Sequence, residues 1–261
     1  MWTSQLVSVA SAVPTLTRVM SRIHSAIARF DLDRVRSELD EGVDPNLDKE
    51  GYTLLLNAVI IRSNIRFGDT DLEVRVAIVA ALLEAGASVE SRIANLGHTA
   101  LHLAVVNKYF GVIVDTLMAA NADVNAEAYG GESVLAEAAK SGSTATVANL
   151  ISAGARHLNQ ALQAAIGSGC LRNCGILLRS GAALRAESWY EWYEHNGLIS
   201  RRVIPLSTRA YIRRIGAAGG FRAYEKAHRQ RLTTMFLPKF PRLPVEVISH
   251  IVLMWAHCGD Y

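Results

Sequence analysis

The chain repeats itself. A Gly-x-Thr/Ser step recurs at Gly51-Tyr52-Thr53, Gly97-His98-Thr99 and Gly131-Glu132-Ser133, each followed by an apolar stretch such as Ala100-Leu101-His102-Leu103-Ala104-Val105. A Leu-rich stretch then closes on Gly42-Val43-Asp44, Gly86-Ala87-Ser88, Asn121-Ala122-Asp123, Gly154-Ala155-Arg156 and Gly181-Ala182-Ala183. Gly97 and Gly131 lie 34 residues apart, and Asn121 and Gly154 lie 33 apart. The 46 residues from Gly51 to Gly97 hold one period plus an insertion, which fits between Ile60 and Leu72. The 27 from Gly154 to Gly181 have lost a turn, so His157-Leu158-Asn159-Gln160-Ala161 passes almost directly into the next helix. A period of this length means stacked supersecondary units, none of which can bury both faces alone.

Inside each unit the apolar spacing is helical. Leu101, Ala104, Val105, Ile113, Val114 and Leu117 recur at three- and four-residue steps, with a break near Asn107–Gly111. Thr53, Thr99 and Ser133 stand where an N-cap hydroxyl is wanted. Gly or Asn after each second helix suits a left-handed C-terminal cap. Each unit therefore reads as helix–turn–helix followed by a short extended turn.

These residues resemble ankyrin repeats. Gly97-His98-Thr99-Ala100-Leu101-His102-Leu103-Ala104, with Ala122-Asp123-Val124-Asn125-Ala126, is similar to that family's motif. Glu41-Gly42-Val43-Asp44-Pro45-Asn46 looks like a diverged copy, and Gly169–Ala182 is similar over its second helix. Leu54-Leu55-Leu56-Asn57 departs from it, since the motif's Pro and His are absent there. The resemblance implies an all-α solenoid of about five units over 20–187 (20–50, 51–96, 97–130, 131–157 and 158–187), preceded by a capping segment at 1–19. It also implies a non-enzymatic surface that binds a partner protein. The expected contact residues at the turns and inner helices are Tyr52, His98, Asn107, Tyr109, Tyr129 and Glu132.

Residues 188–261 differ from the repeats. Up to residue 184 there are 15 basic and 18 acidic side chains, and beyond it 12 basic and 6 acidic. Between Ile199 and Leu243 Glu225 is the single acid among 11 basic residues. Trp189-Tyr190-Glu191-Trp192-Tyr193 reads as a cap on the exposed end of the stack or as a partner hot spot. Basic helices are expected over Thr208–Ile215 and from Phe221 to about Phe236, separated at Gly216-Ala217-Ala218-Gly219-Gly220. In the last helix Pro244 suits the first position, Glu246 suits the positive helix start, and Val247, Ile248, Ile251, Val252 and Trp255 form an apolar stripe.

Leu243-Pro244-x-Glu246-Val247-x-x-x-Ile251 resembles the opening of an F-box. A short C-terminal box after ankyrin repeats is similar to an arrangement of viral and microbial eukaryotic adaptors. That resemblance implies docking on the adaptor subunit of a cullin ubiquitin ligase through Leu243, Pro244, Val247, Ile248, Ile251 and Trp255. Packing of the helix against its own chain is the alternative.

Other chemistry is weakly signalled. His98 and His102, and Cys170 and Cys174, have the four-residue spacing of helical metal ligands, but His98 at the turn and His102 at the helix start read as structural, nothing completes the Cys set, both Cys read as core, and no metal or cofactor is expected. No nucleophile elbow, kinase motif or phosphate-binding loop is present. Arg201, Arg202, Arg209, Arg213, Arg214, Arg222, Lys226, Arg229 and Arg231 permit a nucleic-acid-associated factor as the alternative function, without any accompanying recognition motif. An apolar content of 50% excludes a mainly disordered chain. The most apolar run, Val74–Leu83, holds Arg75 and is too short to span a bilayer. The N-terminus lacks the basic and continuous apolar regions of a leader and reads as mature sequence. Three sparse Cys fit a reducing compartment. The expectation is a cytoplasmic or nuclear monomer.

Overall fold

The computed structural model describes residues 19–60, 69–107, 110–141, 143–184 and 205–258. Tyr109, the Trp189–Tyr193 cluster, the first 18 residues and the Trp255 side chain lie outside that set. The chain forms two compact units, Met1–Val134 and Leu135–Tyr261.

The first unit holds three helical hairpins. Helix α1 (19–28) precedes α2 (Leu32–Asp40), α3 (Leu54–Val59) precedes α4 (Asp69–Glu84), and α5 (Ala100–Val106) precedes α6 (Gly111–Ala119). The second helices α2, α4 and α6 pack side by side in one row, and α3 packs beside α5 in another. Helix α4 is enclosed by neighbours from both rows, and Ile78, Val79 and Leu82 are fully buried. Leu54, Leu55 and Leu56 are equally dry, as are Leu101, Ile113 and Leu117. Each such side chain contributes about 1.5–3 kcal/mol of burial, and most of it is available only when a neighbouring hairpin is present.

The N-caps fall where the hydroxyls stand. Thr53 Oγ1 accepts from Leu56 N at 3.5 Å, and Thr99 Oγ1 accepts from His102 N at 3.4 Å. Asn121 takes φ 61, the left-handed cap that Gly86 fills with φ 91 at the preceding repeat end. Between hairpins the chain projects narrow fingers. Strands β1 (Asp48–Lys49) and β2 (Tyr52–Thr53) pair antiparallel, with Asp48 opposite Thr53. Single bridges, Arg92 with Thr99 and Glu127 with Ser133, repeat the pattern.

Neighbouring repeat ends are joined by polar bonds. Asn46 Nδ2 donates to Gly86 O at 3.1 Å, and its Oδ1 accepts from Ser88 N at 2.7 Å. One repeat further, Glu90 Oε1 accepts from Asp123 N at 2.8 Å. Arg75, the charge inside the apolar run, is buried. Its Nη1 donates to Ala58 O and, at 3.2 Å, to Ile60 O, so it satisfies carbonyls at the end of α3. Burial lowers its pKa, and nearby Asp71 opposes that shift.

The second unit holds hairpins α7 (Val134–Ser141, whose first residue belongs to the first unit) with α8 (Thr144–Ser152), and α9 (Leu158–Ser168) with α10 (Leu171–Arg179). Helix α9 starts directly after His157, where the sequence lacks a turn. Helix α10 packs on α9 and α8 through Cys174 and Leu177, and buried Asn173 Nδ2 donates to Ala139 O at 3.0 Å. Ala183 N donates to Asn159 Oδ1 at 2.7 Å, another polar bond between repeat ends.

Three C-terminal helices follow: α11 (Leu206–Ala217), α12 (Phe221–Phe236) and α13 (Val245–Cys258). The Gly-rich segment separates α11 from α12, as its composition implies. Pro244 precedes α13 rather than opening it, and its carbonyl accepts from Val247 N and Ile248 N, both at 3.1 Å. Pro205 covers Gly169, where an added Cβ would lie 2.8 Å from the proline ring. Tyr211 reaches Gly175 of α10, and burial raises its phenol pKa. The architecture is all-α: five helix–turn–helix hairpins and a small helical region, with one two-residue strand pair among the described residues.

Candidate functional site

The fingers after α4 and α6 place three of the expected contact residues together. The Arg92 guanidinium donates through Nη1 to Gly97 O in its own finger at 3.0 Å and to Glu127 O in the next at 2.7 Å. Tyr129 N donates to Leu96 O at 3.0 Å. The Tyr129 ring lies over Gly97, so close that a Cβ at 97 would stand 2.5 Å from a ring carbon. Gly97 also holds φ 70, so this position needs glycine twice over. Tyr129 is nevertheless 67% exposed, and Leu96 is 54% exposed.

His102 braces these fingers from within. Thr99 N–H can only donate, and it points to His102 Nδ1 at 3.3 Å, while the Thr99 hydroxyl lies 2.9 Å from the same nitrogen. Nδ1 is therefore the acceptor and Nε2 carries the proton. Nε2 donates to Glu132 O at 3.2 Å, in the turn of the next repeat. The His98 ring stacks on His102 at 5.4 Å. The pair is thus a bracing element, with both His102 nitrogens engaged. Among the described residues no three His, Cys, Asp or Glu side chains converge on a metal position.

The remaining expected residues are dispersed. Tyr52 is half-buried in the β1–β2 finger, whose Gly51 abuts Ala94 of the next finger. Asn107 caps α5, its N–H on Ala104 O at 3.2 Å. Leu96 and Arg92 were not anticipated. Only an apolar residue placed just before a turn glycine could have signalled Leu96.

In the C-terminal region the expected stripe divides. Ile248 and Val252 are buried against Leu232, with Phe236 and Leu237 packed around them. Leu243, Val247 and Ile251 stay exposed at 39%, 42% and 46%. Pro244 is exposed, and so are Met235, Phe240 and Val245 nearby in the chain. Self-packing and an open apolar face therefore coexist on one helix.

The ion pair between α10 and α12 runs against the charge split. Its base comes from the repeats and its acid is the lone Glu225: Arg179 Nε lies 2.7 Å from Glu225 Oε1, and Arg229 adds 3.2 Å to Oε2. Tyr224 meets Tyr211 edge-on at 5.6 Å and stacks on His228 at 5.7 Å. Desolvation, with Arg231 and Arg214, lowers the His228 pKa. Cys174 is buried and its thiol is pushed up to about 12 by that burial, with Cys170 adding to the shift. Cys170 is half-buried, its Sγ 3.8 Å from Lys140 O, so it is less a core residue than the sequence implied.

The ankyrin repeat family model matches residues 96–129, the segment from Leu96 to Tyr129 that builds the paired fingers. No curated protein matches the chain. The chain carries an ankyrin repeat, and its all-α hairpin architecture is consistent with that fold. Repeats of this kind serve protein–protein interaction. No helix among the described residues is long and apolar enough to cross a membrane.

Proposed function

We propose that the chain is a non-enzymatic recognition scaffold: the repeats over 20–187 hold a partner protein, and the region 188–261 presents a second contact face. The observation that carries the reading is Tyr129, two-thirds exposed yet fixed on Gly97 and tied by its N–H to Leu96. A rigid exposed aromatic offers large contact area and loses little entropy on binding. Leu96, His98 and Glu132, from the same two fingers, add apolar and polar groups to the proposed surface. Tyr52 and Asn107 extend the proposed surface.

The second face comprises Leu243, Pro244, Val247 and Ile251. Its proposed occupant is the adaptor subunit of a cullin ubiquitin ligase in the cytoplasm or nucleus, which makes the chain a substrate-recruiting adaptor. The support is the exposure of Leu243, Val247 and Ile251 on a helix whose inner side is already packed. Ile248 serves its own hairpin in this scheme.

Affinity capture with quantitative mass spectrometry tests both halves. Leu96→Ser with Tyr129→Ser is expected to lose the target and keep the ligase adaptor. Leu243→Ala with Ile251→Ala is expected to do the reverse. A wild-type capture without a ligase adaptor removes the second half and leaves the scaffold. Captured proteins indifferent to the Tyr129 variant remove the first.

A further inference from the structure

A groove lies between α12 and α13, on a different side of the hairpin from the apolar residues just described. Arg222, Glu225, Lys226, Arg229, Gln230, Thr233 and Thr234 line one wall, and Glu246, Ser249 and His250 line the other. Val247 and Ile251 do not line it. Over 205–258 there are 9 basic residues and only 2 acidic ones, Glu225 and Glu246. Glu225 is held by Arg179 and Arg229. Arg222 and Lys226 are exposed and form no ion pair with any described residue. They stand four residues apart on one helix, about 6 Å along its axis.

We propose that this groove docks an acidic peptide segment of a partner protein, with two carboxylates one helical turn apart facing Arg222 and Lys226. The spacing matches because carboxylates at i and i+4 of a partner helix share the same rise. From Arg222 to Thr233 the wall runs about 16 Å, room for three turns of a docked helix. The walls favour a peptide over a nucleic acid. No Phe, Tyr or Trp side chain lines the groove to stack a base. Glu246 on the far wall repels a continuous run of phosphates, whereas a peptide can set a backbone N–H or a hydroxyl against it. This site is independent of the apolar face, so the two can be occupied at once.

The test uses the full chain and a fluorescein-labelled Glu/Ala peptide of about 15 residues, long enough to be helical, with Glu at i and i+4. Fluorescence anisotropy compares it with a Lys-for-Glu peptide and with single-stranded and duplex DNA, at low and physiological salt. The acidic peptide is expected to bind, more weakly as salt rises, and the lysine peptide is not. Arg222→Ser with Lys226→Ser is expected to weaken it about tenfold. Val247→Ser with Ile251→Ser leaves binding unchanged. Arg222→Glu with Lys226→Glu transfers the preference to the lysine peptide. Equal circular dichroism verifies that these exposed substitutions leave the helices intact. Absence of binding, indifference to the Arg222/Lys226 pair, or tighter binding of DNA each overturns the proposal.

Discussion

The guanidinium carbon of Arg75 stands 4.7 Å from the centre of the Phe30 ring, and Phe110 flanks it at 5.4 Å. One side chain of α4 thus touches the ends of the first and third hairpins while capping the second. Arg75→Met keeps the volume but leaves Ala58 O and Ile60 O without this donor and removes both ring contacts. The expected loss is about 2–4 kcal/mol of unfolding free energy, read from urea transitions. Arg75→Lys is expected to recover only part of it, since an ammonium cannot stack flat between rings.

His102 links its own helix start to the following repeat. His102→Leu removes the acceptor of the Thr99 N–H and one of two donors to Glu132 O, which keeps Ala128 N at 2.9 Å, and is expected to cost about 1–2 kcal/mol. Thr99→Val is expected to cost about 1 kcal/mol. Because the two share one network, the double variant should cost less than the sum, and a double-mutant cycle by denaturant titration checks this.

Gly97→Ala drives a methyl into the Tyr129 ring and strains a backbone at φ 70. A fall in thermal midpoint of several degrees is expected, equivalent to about 2 kcal/mol. In the Tyr129→Ala background only the conformational strain remains, about 1 kcal/mol. Calorimetry on the four proteins distinguishes steric conflict from backbone strain.

The two repeat cysteines should differ in reactivity. With its thiol pushed up to about 12, Cys174 is almost wholly protonated at neutral pH, and it is buried besides. Iodoacetamide pulses followed by peptide mass spectrometry are expected to label Cys170 first, and Cys174 only once denaturant opens α10. Equal rates in the folded protein would contradict that packing.

Much of this was readable because it is local. Thr99 and His102 sit three apart, so the cap follows from adjacent letters, whereas the His102 bond to Glu132 O, thirty positions on, does not; the recurring Gly and Asn endings fix where hairpins stop. Arg75 was opaque for the opposite reason. Its meaning depends on rings at 30 and 110 and carbonyls at 58 and 60, which only the stacked hairpins bring together. The division of the last stripe was equally hidden: Ile248 and Ile251 look alike in a periodic pattern, and which one is buried depends on where Leu232 of the preceding helix lands. Tyr129 could be named as a candidate contact, but not the glycine it rests on, thirty-two positions earlier in the chain.

Among the described residues the buried centre between α12 and α13 is Leu232, Ile248 and Val252, with Phe236 and Leu237 packed around it. A hairpin seated on so few dry contacts opens at modest cost. Its lifetime against proteases will therefore lengthen when something lies across it.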